Sequence, residues 1–213
     1  MKPASISSIL ASMIIVILTS SCKKDNDVKN SDPYLSLCAP TSDYYFRGTI
    51  NDVDKCWNIG ENNYQCYSGS GSIGVEGGTN SFWTQGLDQY PEPAISEAIF
   101  INCETSYLIE NCTREQFINS FIPGTYPLVP VSNDGSTGIE IGYVLNQTAY
   151  YTRTGPQDSC QIQLLEAIKT PAIGNTDQIV LKFRFSCNLY SCTGAYFGHI
   201  SAGELRTVQL RVF

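Results

Sequence analysis

The chain predicts an all-β fold: an antiparallel β-sandwich or partly open barrel with one short helix, braced by disulfides. Three observations lead there. Apolar residues alternate with period two, most clearly from Gln178 to Cys187, where Ile179, Leu181, Phe183, Phe185 and Cys187 share one side and Lys182, Arg184 and Ser186 the other. A half-buried antiparallel strand requires this period. Turn-forming groups recur between such segments, at Asn51-Asp52, Asp134-Gly135, Thr154-Gly155-Pro156, Ile173-Gly174-Asn175 and Thr193-Gly194. Nine cysteines stand in 213 residues, behind a leader of secretory type, and an exported chain uses cysteines chiefly as disulfides.

The leader occupies residues 1–21. Lys2 supplies a positive start, Ile9 to Leu18 an apolar run, and Thr19, Ser20 and Ser21 a small polar end. A membrane-spanning helix needs about 20 apolar residues. This run is about half that and stops at Lys23-Lys24, so it is expected to be a signal peptide. The stretch ending at Cys22 resembles the lipobox of bacterial lipoproteins. That resemblance implies cleavage after Ser21, a diacylglycerol and a further acyl chain such as palmitate on Cys22, and a membrane as partner through this N-terminal lipid. Setting Cys22 aside leaves eight cysteines, an even number that can pair fully. Lys23-Lys24-Asp25-Asn26-Asp27 resembles the export signal of surface lipoproteins of the Bacteroidota, which implies the outer membrane and its outer face. The same residues also suit a solvated tether, so the periplasmic face stays open.

Residues 22–41 read as that tether, polar and interrupted by Pro33 and Pro40. Residues 42–213 read as a single β domain. Tyr44 to Ile50 is aromatic and β-branched and ends at the Asn51-Asp52 turn. Tyr64 to Glu76 is long and glycine-studded, and Ser81 to Thr84 is short. Glu97 to Cys103 alternates, with Ile99, Ile101 and Cys103 on one face. Thr113-Arg114-Glu115-Gln116 has the spacing of a capping box, and Phe117, Ile118 and Phe121 line one face of the helix it opens. Pro123-Gly124 ends that helix. Gly138 to Tyr151 alternates again, and a hairpin joins Ile162–Ile168 to Ile179–Phe185. Glu204 to Phe213 closes the chain, with Val208, Leu210 and Val212 inward.

The order of Phe46-Arg47-Gly48-Thr49-Ile50-Asn51, then Trp57, then the helix and Phe121-Ile122-Pro123-Gly124-Thr125-Tyr126, then Ile179 through Ala202-Gly203-Glu204-Leu205, is similar to small β-rich lipoproteins of the Bacteroidota. That family has no established activity, so the resemblance implies fold and location.

The cysteines Cys38, Cys56, Cys66, Cys103, Cys112, Cys160, Cys187 and Cys192 are the disulfide candidates. Short loops suggest Cys56 with Cys66, Cys103 with Cys112 and Cys187 with Cys192. Hairpin register suggests Cys160 with Cys187 instead, unless a bulge at Leu164-Leu165 shifts it. Both options stay open. No C-x-x-C pair exists and His199 is the sole histidine, so no metal site is expected. Removing the leader takes away Lys2 and moves the net charge from −7 to −8, which argues against nucleic acid as a partner.

Gly69-Ser70-Gly71-Ser72-Ile73-Gly74 matches a dinucleotide fingerprint in letters but opens no helix, and reads as a bent strand or hairpin. No cofactor is expected. His199 has no G-x-S-x-G partner motif. The expected role is therefore binding or structural at the cell envelope, with a glycan or protein as possible ligand. Trp57, Trp83 and Tyr190 are the aromatic candidates for an exposed binding surface. The alternative is an envelope glycoside hydrolase using two carboxylates among Asp52, Asp54, Glu97, Glu110, Glu140 and Glu166. Of these, Glu140 and Glu166 are expected to face water.

Overall fold

The computed structural model describes residues 34, 37–75, 78–90, 97–105, 107–128 and 138–213, with side chains placed at all of these except 73–75, 78–80 and 171–172. The leader, Cys22 and the turn at Asn133-Asp134-Gly135 lie outside the described residues. One compact unit runs from Asp32 to Phe213.

Its strands are β1 (Tyr45–Ile50), β2 (Val53–Asn58), β3 (Tyr64–Val75), β4 (Gly78–Gln89), β5 (Glu97–Thr105), β6 (Gly124–Tyr126), β7 (Ile139–Leu145), β8 (Thr148–Tyr151), β9 (Gln161–Ile173), β10 (Thr176–Tyr190) and β11 (Tyr196–Val212). They form one antiparallel sheet in the order β2-β1-β11-β10-β8-β7-β5-β4-β3, with β9 on β10 and β6 on β9. The glycine-rich stretch of the false fingerprint lies in β3 and is paired along β4. Tight turns connect neighbours. Asn51-Asp52 and Asn146-Gln147 each place two successive residues at positive φ, 50° and 63°, then 47° and 67°. That conformation matches the twist of the flanking strands, and Asn and Asp adopt it at low cost.

The sheet does not close on itself. It curls so that β2, β1, β11, β10, β9 and β6 form one layer and β8, β7, β5, β4 and β3 the other. The bend is visible in β11. Its register against β1 and β10 shifts between Ser201 and Glu204, and Ala202 sits at φ 48°. Past this bulge the strand reaches the facing layer: Thr207 Oγ1 donates to the Gly86 carbonyl (3.1 Å) and the Leu210 amide to Ser68 Oγ (2.9 Å).

Alternation decides what fills the space between the layers. Trp57, Phe46, Leu205, Phe183 and Leu164 occupy one inward cross-strand row. Trp57 stacks on Tyr64 at 4.9 Å and lies 4.8 Å from Phe46. A buried Trp removes on the order of 200 Å² from water, about 5 kcal/mol at 25 cal/mol per Å². The helix α1 (Arg114–Asn119) caps one end of this core. Thr113 and Gln116 exchange both capping-box bonds, at 2.8 and 3.2 Å. Phe117 is buried 5.1 Å from Trp83.

The β9–β10 hairpin contains the bulge anticipated at Leu164-Leu165. Gln161 to Leu164 face Ser186 to Phe183, and beyond the bulge Glu166 to Thr170 face Lys182 to Gln178, one residue out of step. Ala167 therefore pairs with Leu181 and not with Val180.

Among the described residues one disulfide is formed, Cys38–Cys56, with Cα atoms 6.2 Å apart. The expected Cys56–Cys66 pairing is corrected. Cys56 shares a row with Arg47 on the outward side of its layer, whereas Cys66 pairs with inward Leu87. The bond ties the N-terminal segment to β2 across a separation of 18 residues. Constraining an unfolded loop of that size stabilises by about 3 kcal/mol, or about 6–12 °C in Tm for a domain of this length. Calorimetry of the Cys38→Ser/Cys56→Ser variant should show that loss; an unchanged transition would remove the brace from the account.

Candidate functional site

The outward face of the second layer carries two adjacent cross-strand rows. Tyr67, Gly86, Phe100, Gly142 and Tyr151 succeed one another across β3, β4, β5, β7 and β8. Rings thus alternate with glycines. Gly142 is required by Phe100: a Cβ there would fall 2.0 Å from the ring. With that space free, Phe100 lies flat enough to meet Tyr151 edge-on at 6.1 Å.

The neighbouring row, Gly69, Thr84, Asn102 and Glu140, is polar. Thr84 Oγ1 donates to Asn102 Oδ1 (2.8 Å), and Asn102 Nδ2 donates to Glu140 Oε1 (2.8 Å). Arg153 completes the relay, 3.2 Å from Glu140 Oε2, with its guanidinium 4.1 Å over the Tyr151 ring. Together the rows line a pocket of about 420 Å³, walled by the Tyr67, Phe82, Phe100 and Tyr151 rings and edged by Asp88, Asn102 and Arg153.

Burial pushes the Glu140 carboxyl above the usual carboxylate range, against the opposing pull of Arg153 and Asn102. Burial also raises Asp88, with a hydrogen bond from Gln65 opposing it. Asp88 Oδ1 is sealed from solvent and has no hydrogen-bond partner among the described residues.

The outward face of the first layer is built differently. Cys56, Arg47, Glu204, Arg184, Gln163 and Thr125 form one row across six strands. Glu204 is fully buried and accepts from Tyr45 (2.7 Å), Arg47 (2.8 Å) and Arg184 (2.7 Å), with Lys182 at 3.7 Å. Burial alone would raise its pKa. The bonds from Arg184 and Tyr45 and the charges of Arg47 and Lys182 outweigh that, and the net shift is downward. The N-terminal segment crosses this face. Tyr34 lies over Arg184 at 4.1 Å, Cys38 bonds to Cys56, and the Thr41 amide donates to Asn58 Oδ1 (3.1 Å). The pocket and the described N-terminal residues, 34 and 37–41, thus lie on opposite layers.

The three aromatic candidates require correction. Trp57 and Trp83 are 4% and 1% exposed and Tyr190 7%. The period-two pattern turns both Trp residues inward, and Tyr190 packs over Gly155 with its hydroxyl on the Pro156 carbonyl (2.8 Å). Glu140 is likewise corrected, being sealed under its row and not facing water, while Glu166 is 41% exposed beside Lys182. Asp52, Asp54 and Glu110 are exposed, and Glu97 is bound by Lys55 (2.7 Å) and Tyr143 (3.0 Å). None of the six named carboxylates is among the residues that line the ring-walled pocket.

Beyond the disulfide, Cys66, Cys103, Cys112, Cys160, Cys187 and Cys192 stand as thiols. Cys187 is buried in the core while Cys192 is exposed on the turn, which opposes the small-loop pairing. His199 lies 3.1 Å from Ser186 Oγ through Nε2 and 2.8 Å from Asn188 Oδ1 through Nδ1. Its amide is also held by Asn51. This knot sits beside the β11 bulge, away from the pocket. Among the described residues no cluster of three or more His, Cys, Asp or Glu side chains could hold a metal, and no helix is long and apolar enough to cross a membrane. Comparison with protein-family models, curated proteins and solved structures finds no match to this chain.

The two buried carboxylates respond oppositely to pH. Glu204, lowered by folding, contributes stability that is present above its unfolded value near 4.5 and is lost as pH falls through the folded value. Glu140, raised by folding, contributes stability that is present below its unfolded value and is lost as pH rises through the folded value. At pH 7, Glu204→Gln should cost about 3–5 kcal/mol by leaving buried cations unpaired. Glu140→Gln should cost less, because Glu140 faces one cation, Arg153, where Glu204 faces Arg47, Arg184 and Lys182. Urea unfolding between pH 4 and 7 measures both; equal losses would contradict the assignment.

Proposed function

We propose that the chain is a lipid-anchored envelope protein with a binding role, and that the ligand enters the ring-walled pocket on the layer opposite the tether. The observation that carries this reading is the pocket's composition. Apolar ring faces stand beside an amide, a guanidinium and a carboxyl, within a volume suited to a small ligand. A saccharide ring offers the complementary pair, an apolar C–H face and a rim of hydroxyls. Export is supported by the order of the leader and by the Cys38–Cys56 bond, which suits an oxidising compartment. Lipid on Cys22 rests on the lipobox resemblance. The described part of the N-terminal segment, residues 34 and 37–41, lies on the Glu204 face, opposite the pocket.

Two experiments test this. Full-length protein in detergent, applied to glycan and peptide arrays, should bind saccharides saturably. Tyr67→Ala, a half-exposed wall residue, should weaken that binding about tenfold, the loss of about 1.4 kcal/mol of stacking. Binding unaffected by Tyr67→Ala, or confined to peptides, would overturn the pocket assignment. Separately, Cys22→Ala should move the protein from the membrane to the soluble fraction of cells. Retention on the membrane would contradict the lipid anchor.

A further inference from the structure

The β9–β10 register brings two of the free cysteines together. Leu164, Gln163, Ile162 and Gln161 face Phe183, Arg184, Phe185 and Ser186 in unbroken sequence. One step further sets Cys160 against Cys187. The step is held in place by Gln157, whose side chain behaves as a short piece of strand. Its Oε1 accepts from the Asn188 amide (3.0 Å) and its Nε2 donates to the Asn188 carbonyl (2.9 Å). The Cys160 amide donates in turn to the Gln157 carbonyl (3.0 Å). The turn ahead of β9 is thereby clamped to β10 beside Cys187.

The kind of pair follows from alternation. Asn188 directs both peptide groups toward this turn, so Cys187 directs its own toward β11, where it faces Ile200. Cys160 and Cys187 are thus a non-hydrogen-bonded pair, in which facing Cα atoms lie about 4.5 Å apart with side chains on one side. That lies within the disulfide range of about 4.4–6.8 Å. Both side chains point inward. Cys187 is fully buried among the core residues, and Cys160 is partly buried and packs against the same cluster. The Cys187 thiol is pushed well up, by burial first and then by the nearby Cys160.

We propose that Cys160 and Cys187 form a second, cross-strand disulfide when the chain meets a disulfide oxidant. The half-exposed Cys160 thiolate attacks the oxidant's S–S bond, joins one of its sulfurs and releases the other as a thiol. The Cys187 thiolate then attacks the Cys160 sulfur, forms the internal bond and expels the second oxidant thiol. Two electrons and two protons pass to the oxidant, which ends as a dithiol or two thiols. The bond fastens the segment following Arg153 to the core, and does not depend on the binding role proposed above.

The test equilibrates full-length protein in excess glutathione disulfide, alkylates remaining thiols under denaturing conditions, and digests with trypsin. The expected product joins Thr154–Lys169 to Phe185–Arg206, two hydrogens lighter than the sum of the free peptides. The second peptide holds both Cys187 and Cys192, so fragment ions must place the bond on Cys187. The link should persist in Cys192→Ser and vanish in Cys187→Ser. Alkylation of both Cys160 and Cys187 in the wild-type protein would overturn the proposal, as would a bond placed on Cys192. Because the wild-type fragment ions decide the outcome, a variant that fails to fold does not.

Discussion

The bend in β11 is the constraint on which the rest depends. A flat eleven-stranded sheet would leave Trp57, Trp83 and their neighbours against water on one side. The bulge at Ser201–Gly203 turns the longest strand so that, while it pairs with β10 on both sides of the bend and with β1 as far as Arg206, its last part also packs against β3 and β4. A shared interior follows, and with it two outward faces. The bend needs close approach of backbone to ring. A Cβ at Gly203 would fall 2.6 Å from the Phe185 ring, and one at Gly48 would fall 3.0 Å from Gly203 Cα. Glycine at both positions lets three strands converge where the sheet turns.

Each outward face then takes a separate task. On one, a buried carboxylate collects cations from neighbouring strands, and the N-terminal segment is bonded over it. Its electrostatics fix the layer. On the other, glycines under aromatic rings open a recess, and a hydrogen-bonded polar row floors it. The charge network and the ring-walled recess therefore lie on different layers. A change in the side chains that line the recess need not disturb the charge network.

Much of the fold was legible in the chain because period two and turn chemistry are local. The inward side of β10, the Asn51-Asp52 turn, the Thr113 capping box and the bulge at Leu164-Leu165 all follow from neighbours in sequence. β2 and the first part of β11 carry little such signal. Val53–Asn58 is short and half polar, and Tyr196–Gly203 lacks clean alternation because it leads into the bulge. The pocket was illegible for a different reason. Its rows run perpendicular to the chain, so Tyr67, Phe100 and Tyr151 become neighbours only once register is known. The same holds for Glu140, whose polar side of the strand turned out to be covered by Asn102 and Arg153. Large aromatics were a poor guide to an exposed site, since burial of Trp57 and Trp83 is what holds the layers together.

A double-mutant cycle on Gly203→Ala and Phe185→Leu tests the bend most directly. The account predicts that Gly203→Ala alone destabilises by about 1–3 kcal/mol through overpacking against the ring, and that Phe185→Leu recovers a measurable part of that loss when the two are combined. Strictly additive losses, or a Gly203→Ala protein as stable as the parent, would show that the close approach of β11 to Phe185 does not shape the sheet.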